Sequence, residues 1–118
     1  MPTPSNTYPK RGEVWIADLA PGRGWEVAKS RPVIIISANE INKISTLVVI
    51  IPLSSIIPSV IGPERVFIEK GMFLNKASIA LPTQIRAIDK SRLTKKIGLL
   101  PKDKLSEVEE ALKVVLGL

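Results

Sequence analysis

The 118-residue chain contains no cysteine and no histidine. The absence of cysteine excludes disulfides and thiolate metal sites. Without histidine as well, a transition-metal site would need carboxylates alone, so we expect neither a metal nor another cofactor. Any catalytic chemistry must therefore use arginine, carboxylates, hydroxyls and amides.

Aromatic residues are also scarce, at 4% of a chain that is 45% hydrophobic. Aliphatic side chains must supply nearly all of the core of what we expect to be one domain. No apolar run approaches the roughly 20 residues that span a bilayer, and the N-terminus lacks the apolar centre of a signal peptide. We expect no membrane association and a cytoplasmic location.

Positive charge exceeds negative charge, with a formal net charge of +6 and a pI near 9.8. Residues 83–104 carry seven lysines and arginines against two aspartates, which is +5 of the total. This concentration favours an acidic partner, nucleic acid above all. The alternative is a basic protein whose charge serves only solubility.

The chain divides into a Pro/Ser/Thr-rich stretch, predicted to be a flexible arm at residues 1–10, and one domain at residues 11–118. Apolar and β-branched blocks predict strands at 12–19, 33–36, 47–51, 65–69, 77–81 and 84–88. We expect Pro52 to end the third strand and residues 38–43 to form a polar turn. The last sixteen or so residues predict a helix with one apolar stripe: Leu105, Val108, Leu112 and Leu116. Short strands followed by a terminal helix predict a small, strongly bent sheet or barrel.

The step Arg31-Pro32 joins a loop rich in glycine and proline, residues 21–30, to the apolar strand that follows. The glycines allow unusual backbone angles, so this loop is expected to be irregular. It would present Glu26 and Arg31 from the rim of a rigid sheet, where charged side chains can reach a ligand.

Several short motifs in order resemble those of the MazF/PemK toxins, over residues 10 to 118. They are Arg11-Gly12-Glu13-Val14-Trp15 with Asp18-Leu19, the glycine-acid loop leading to Arg31-Pro32-Val33, Pro52-Leu53-Ser54-Ser55, Gln84-Ile85-Arg86, and Asp89-Lys90-Ser91-Arg92-Leu93. The resemblance implies a small SH3-like β-barrel with a C-terminal helix, the MazF/PemK-like and CcdB-like toxin fold. It further implies a homodimeric toxin of a type II toxin–antitoxin system, inhibited by a cognate antitoxin. The implied activity is metal-independent, sequence-selective endoribonuclease cleavage of single-stranded mRNA through the RNA's own 2′-hydroxyl.

The same resemblance assigns roles to residues. The arginine before proline, Arg31, is the main catalytic residue, Ser54 stands at the family's catalytic threonine, and Glu26 is the loop carboxylate. The residues expected to contact RNA are Trp25, Lys29, Gln84 and Arg86. Lys95 and Lys96 are expected to form a solvated face that attracts phosphate generally.

Attack by a 2′-hydroxyl builds negative charge on a phosphorane, which an oriented cation and hydroxyl donors stabilise. The planar fork of arginine can hold two phosphate oxygens, but a permanently protonated side chain is a poor general base. Arg31 is therefore assigned charge stabilisation and protonation of the leaving group. Glu26 is the candidate for the base.

Two departures from the family pattern leave alternatives open. The family loop commonly reads Gly-Ser-Glu-Gln where this chain has Gly24-Trp25-Glu26-Val27. Trp25 either stacks on an unpaired base or closes as a lid on its own barrel, and Ser54 keeps the hydroxyl without the methyl group that fixes its rotamer.

The alternatives to an active ribonuclease are a catalytically inactive homologue that binds RNA or antitoxin, and a gyrase-directed toxin on the same fold. The cleavage sequence is not predicted.

Overall fold

A computed structural model describes residues 7–19, 30–71 and 73–118 of the chain. These residues form strands β1 (Glu13–Asp18), β2 (Ser30–Ile35), β3 (Leu47–Ser54), β4 (Val66–Ile68), β5 (Ser78–Ala80), β6 (Arg86–Asp89) and β7 (Leu93–Leu99). Helix α1 (Asn39–Ile44) lies between β2 and β3, and helix α2 (Lys102–Leu116) ends the chain.

Strand β3 is the centre of the sheet. It pairs with β2 along one side, and along the other side with β6 through residues 47–50 and with β5 through Leu53 and Ser54. The strand order β4-β5-β3-β2-β1-β7 places β4 and β7 at the two ends, and every pairing is antiparallel. An antiparallel order lets consecutive strands pair through short connections.

The predicted architecture, mainly β with a C-terminal helix, is confirmed. Among the described strands no ladder joins β4 to β7, so the barrel is open along that line. No helix in the described part of the chain is long and apolar enough to cross a membrane.

Two apolar clusters stabilise the sheet. The larger cluster includes Val14, Ile34, Ile51 and Leu53, and α2 covers it with Val108 and Ala111. The smaller cluster contains only aliphatic side chains from four strands at its buried centre: Ala17, Val33, Ile35, Val48, Ile50 and Ile88. The predicted helical stripe is confirmed at Leu105, Val108 and Leu112, whereas Leu116 is 52% exposed because it lies in the last turn of the helix.

The prediction that Pro52 ends a strand is wrong, because β3 continues through Pro52 to Ser54. The missing N–H of Pro52 falls at the last residue pair between β2 and β3, Val33 with Pro52, and its carbonyl accepts a hydrogen bond from the N–H of Leu81 at 3.0 Å. The strand therefore loses little by containing a proline here.

The predicted polar turn at residues 38–43 contains a short helix instead, α1. Asn42 on that helix is fully buried, and its amide donates to the carbonyl of Ser37 at 2.9 Å, while the hydroxyl of Ser37 donates to the Asn42 side chain. A buried amide with both ends satisfied stabilises a specific backbone path. Strand β7 was also not predicted.

The predicted arm lies mainly outside the described residues, at 1–6. At its end, Pro9 is buried, and the ammonium group of Lys10 lies 4.5 Å from the centre of the Tyr8 ring. The arm stays a prediction for residues 1–6.

A buried carboxylate joins this end of the arm to two strands. Glu13 is 6% exposed. It accepts hydrogen bonds from the N–H of Lys10 at 2.9 Å and from the indole N–H of Trp15 at 3.0 Å, and its other oxygen lies 2.9 Å from the ammonium group of Lys96. Burial alone raises the pKa of Glu13, but these three donors together lower it below its usual value. Lys96 is thus a structural partner of Glu13 as well as a surface cation.

We predict that Glu13→Gln destabilises the fold at neutral pH by about 2 kcal/mol, because charged hydrogen bonds are replaced by weaker ones. A lowered pKa in the folded state stabilises the protein above the unfolded pKa of about 4.3, and that stabilisation is lost as the pH falls through the folded value. Urea unfolding between pH 7 and pH 3 should show the wild-type advantage disappearing at acid pH. The control is Glu110→Gln, which removes an exposed carboxylate. An equal free energy of unfolding for wild type and Glu13→Gln at pH 7 contradicts this role.

Candidate functional site

The first residues of β2 and the last residues of β3 lie at the same edge of the sheet, because the two strands are antiparallel. The last pair of the ladder between them is Val33 with Pro52. Extending it by two residues sets Arg31 opposite Ser54. Two residues directly opposite each other on antiparallel strands have Cβ atoms about 5 Å apart, and a cleft lies at this edge of the sheet.

Both predicted catalytic residues in the described part of the chain, Arg31 and Ser54, border this cleft of about 400 Å³. Its apolar surface comes from residues such as Ile16, Pro32 and Leu53. Its polar groups are two cations, one amide and four hydroxyls: Arg31, Lys76, Asn75, Ser30, Ser54, Ser55 and Ser78. No carboxylate stands among the described residues that line it. Such a set of described lining groups, with cations and hydroxyl donors, is suited to a phosphate group.

The hydroxyl of Ser54 is oriented by its own backbone. Its oxygen accepts a hydrogen bond from the N–H of Ile56 at 3.1 Å, which is a local turn of the kind that serine favours. This contact uses one lone pair and leaves the hydroxyl proton available to donate. Ser54 can therefore act as a hydrogen-bond donor toward an anion in the cleft.

Arg31 is half-buried, and its guanidinium group has no hydrogen-bond or ion-pair partner among the described residues. By contrast, Arg11 is paired with Glu109, and Arg92 donates to the carbonyl of Asp18 at 3.2 Å. A partly desolvated cation without a counterion attracts anions more strongly than a paired one. Of the arginines in the described part, Arg31 is the one that borders the cleft.

One wall of the cleft was not predicted from the sequence. The connection between β4 and β5 contributes Phe73, Leu74, Asn75 and Lys76. It is held by packing, since a Cβ atom added to Gly98 on β7 would lie 2.5 Å from the ring of Phe73. Gly98 was the signal in the sequence for this contact, because glycine lets an aromatic ring approach the strand closely. A glycine alone does not show that Phe73 is the ring that packs there.

The remaining predicted site residues fall into two groups. Gln84 and Arg86 are exposed but do not line this cleft, and Arg86 is paired with Ile50, four residues or about 13 Å along β3 from Ser54. Trp25, Glu26 and Lys29 lie outside the described residues.

Residues 10–116 match the family described as the PemK-like, MazF-like toxin of type II toxin–antitoxin systems. The chain belongs to this family. The match covers the described cleft and the motifs from which the resemblance was inferred.

Solved structures share the fold of this MazF-like chain. An endoribonuclease in complex with its cognate antitoxin, from a mycobacterial species, is 25% identical with a TM-score of 0.76, and the alignment covers 93% of this chain and 96% of that one. A MazE–MazF structure from Deinococcus radiodurans is 24% identical with a TM-score of 0.79, covering 94% and 97%. A second mycobacterial endoribonuclease is 23% identical with a TM-score of 0.76, covering 95% and 94%. The fold is thus that of MazF proteins over nearly the whole chain.

Proposed function

We propose that this chain is the toxin of a type II toxin–antitoxin pair and acts as a metal-independent endoribonuclease on single-stranded mRNA, with selectivity for a short sequence. The observation that carries the proposal is the convergence of Arg31 and Ser54 on one cleft without a carboxylate among its described residues. Family membership supports the same activity, as does the similarity to an endoribonuclease at 25% identity.

The proposed reaction is an in-line displacement at phosphorus. The 2′-oxygen of the RNA forms a bond to the adjacent phosphorus, and the bond from phosphorus to the 5′-oxygen of the next nucleotide breaks. The products are a 2′,3′-cyclic phosphate and a 5′-hydroxyl. No water or metal ion enters the bond-making step, so the protein contributes position, charge and proton transfer.

Each described residue has a role in this scheme. Arg31 holds the non-bridging oxygens as negative charge develops, because its fork matches two oxygens at once. Ser54 donates a hydrogen bond from its hydroxyl to the same oxygens and keeps its proton. The proton of the 2′-hydroxyl passes to a base, for which we propose Glu26, and the 5′-oxygen receives a proton as it leaves, for which we propose Arg31.

Further contacts with the RNA are proposed outside the cleft. Gln84 and Arg86 would contact the strand on the side of β6, while Trp25 and Lys29 would contact it from the loop that precedes β2. Single-stranded RNA suits such a surface. Its unstacked bases can stack on aromatic side chains and form hydrogen bonds with side-chain amides, while lysine and arginine bind its phosphates.

The proposed protein partners are a second copy of the chain and a cognate antitoxin, in the cytoplasm. A mycobacterial relative has been solved with its cognate antitoxin. An acidic antitoxin segment would compete with RNA for the positively charged surface, since a net charge of +6 per copy attracts both. The toxin would then be inactive while the antitoxin is bound.

We predict that Arg31→Ala lowers the single-turnover rate of RNA cleavage by about 10²–10³-fold, the usual cost of removing one oriented donor. Arg31→Lys should recover only part of the rate, because an ammonium group keeps the charge but loses the fork. The control is Arg65→Ala, which removes the same charge outside the cleft. Circular dichroism verifies the fold of each variant, and an Arg31→Ala rate within tenfold of wild type removes Arg31 from the mechanism.

For Ser54 we predict a smaller loss with Ser54→Ala than with Arg31→Ala, because a neutral donor contributes less than a charged one. Ser54→Thr should equal or exceed the wild-type rate, since it restores the methyl group that limits rotation. Rates are measured under the same single-turnover conditions. Full activity of Ser54→Ala shows that the hydroxyl takes no part in catalysis.

Chelation is expected to leave cleavage unchanged. The described residues contain no cluster of three or more carboxylates placed to hold a metal ion, and the proposed charge stabilisation comes from Arg31. The measurement is the cleavage rate in excess EDTA at constant ionic strength. A loss that magnesium restores, and that spermidine or sodium does not, contradicts the metal-independent mechanism.

A further inference from the structure

Two cations without a partner among the described residues border the cleft, one from each wall. Arg31 belongs to β2, and Lys76 belongs to the connection between β4 and β5. Among the described residues neither has an ion-pair or hydrogen-bond partner for its side chain, and no described carboxylate lines the cleft. Like charges that face a shared cleft repel each other, so an anionic ligand with more than one charge is favoured there.

Backbone hydrogen bonds and core packing hold the described residues that precede Lys76. Gly71 and Leu74 exchange two backbone hydrogen bonds, of 2.9 and 3.0 Å. Leu74 is buried in the larger apolar cluster, and the ring of Phe73 lies directly against Gly98. Although Lys76 itself is exposed, the chain that leads to it is fixed by core packing.

The position of Lys76 is also fixed relative to Ser54. The hydroxyl of Ser78 donates to the carbonyl of Lys76 at 3.2 Å. Ser78 begins β5, and the next residue, Ile79, is the register partner of Ser54 on β3. The β5 ladder therefore joins Lys76 to the strand that carries the proposed catalytic hydroxyl.

We propose that Lys76 binds a phosphate of the RNA next to the one that is cleaved, so that the β4–β5 connection forms the second wall of the RNA site. The inference rests on the proposed ribonuclease function. A lysine at this place suits a binding role, because its ammonium group is a flexible point charge that accepts a phosphate in several orientations, whereas the fork of Arg31 suits the reacting group. A contact to phosphate carries no sequence information, so Lys76 contributes affinity and position for any sequence that is cut.

Lys70 provides a matched control. It lies in the same connection and is exposed, but it borders a different hollow, beside Pro101 and Lys104. Lys70→Gln and Lys76→Gln remove the same charge from the same segment. A difference between them therefore reports a local contact and not the net charge of the protein.

The test measures single-turnover cleavage of a fluorophore-labelled RNA oligonucleotide that spans a site mapped on a long RNA with the wild-type protein. Lys76→Gln should raise the half-saturating protein concentration about five- to tenfold over Lys70→Gln, with the maximum rate unchanged. The slope of log affinity against log salt should fall by about 0.7, the value for one phosphate contact on a single strand. Lys76→Arg should bind like wild type.

Two results overturn the inference and are distinguishable from failure of the proposed function. If wild type cleaves RNA and Lys76→Gln matches Lys70→Gln in both affinity and salt slope, Lys76 makes no phosphate contact. If Lys76→Gln lowers the maximum rate with unchanged half-saturation, Lys76 acts on the reaction and not on binding. If wild type and Lys70→Gln both fail to cut any RNA, the proposed function is wrong, and the inference that rests on it fails too.

Discussion

The pairing of β3 with its neighbours on both sides is the constraint on which the site depends. Ile50, Ile51 and Leu53 are buried in the two apolar clusters, so β3 cannot shift its register without exposing core side chains. That register places Ser54 beside the start of β2, where Arg31 lies, and beside β5. The proposed catalytic pair is thus positioned by the hydrophobic core, although neither residue belongs to it.

The charged groups among the described residues that line the cleft are all cations. Three cations outside the cleft have carboxylate partners: Arg11 pairs with Glu109, Lys96 with Glu13, and Lys104 with Glu69. Arg31 and Lys76 have no such partner among the described residues, and the cleft has no described carboxylate. A cation without a counterion keeps its full electrostatic attraction for the phosphates of a nucleic-acid chain. The cleft differs from a merely basic surface because four hydroxyl groups, and no described carboxylate, accompany its two cations.

The strands and the helix whose residue patterns are local in the sequence were predicted. The apolar blocks located β2 and β3, and the spacing of Leu105, Val108 and Leu112 located α2. The prediction failed at Pro52, because the carbonyl of that residue makes a tertiary hydrogen bond that sequence does not show. It missed β7, where the adjacent Lys95 and Lys96 interrupt the apolar alternation although Lys96 pairs with buried Glu13. Lys76 was missed because only packing around Phe73 brings it to the cleft, while Trp25, Glu26 and Lys29 lie outside the described residues.

The most direct test of the account is the chemistry of the RNA ends that the purified wild-type protein produces. A long single-stranded RNA is incubated with the protein, and the new termini are identified by mass spectrometry. An RNA cut by 2′-hydroxyl attack, with Arg31 and Ser54 stabilising the phosphorane, ends in a 2′,3′-cyclic phosphate and begins with a 5′-hydroxyl. Fragments with a 3′-hydroxyl and a 5′-phosphate contradict the account, and so does an RNA that remains intact.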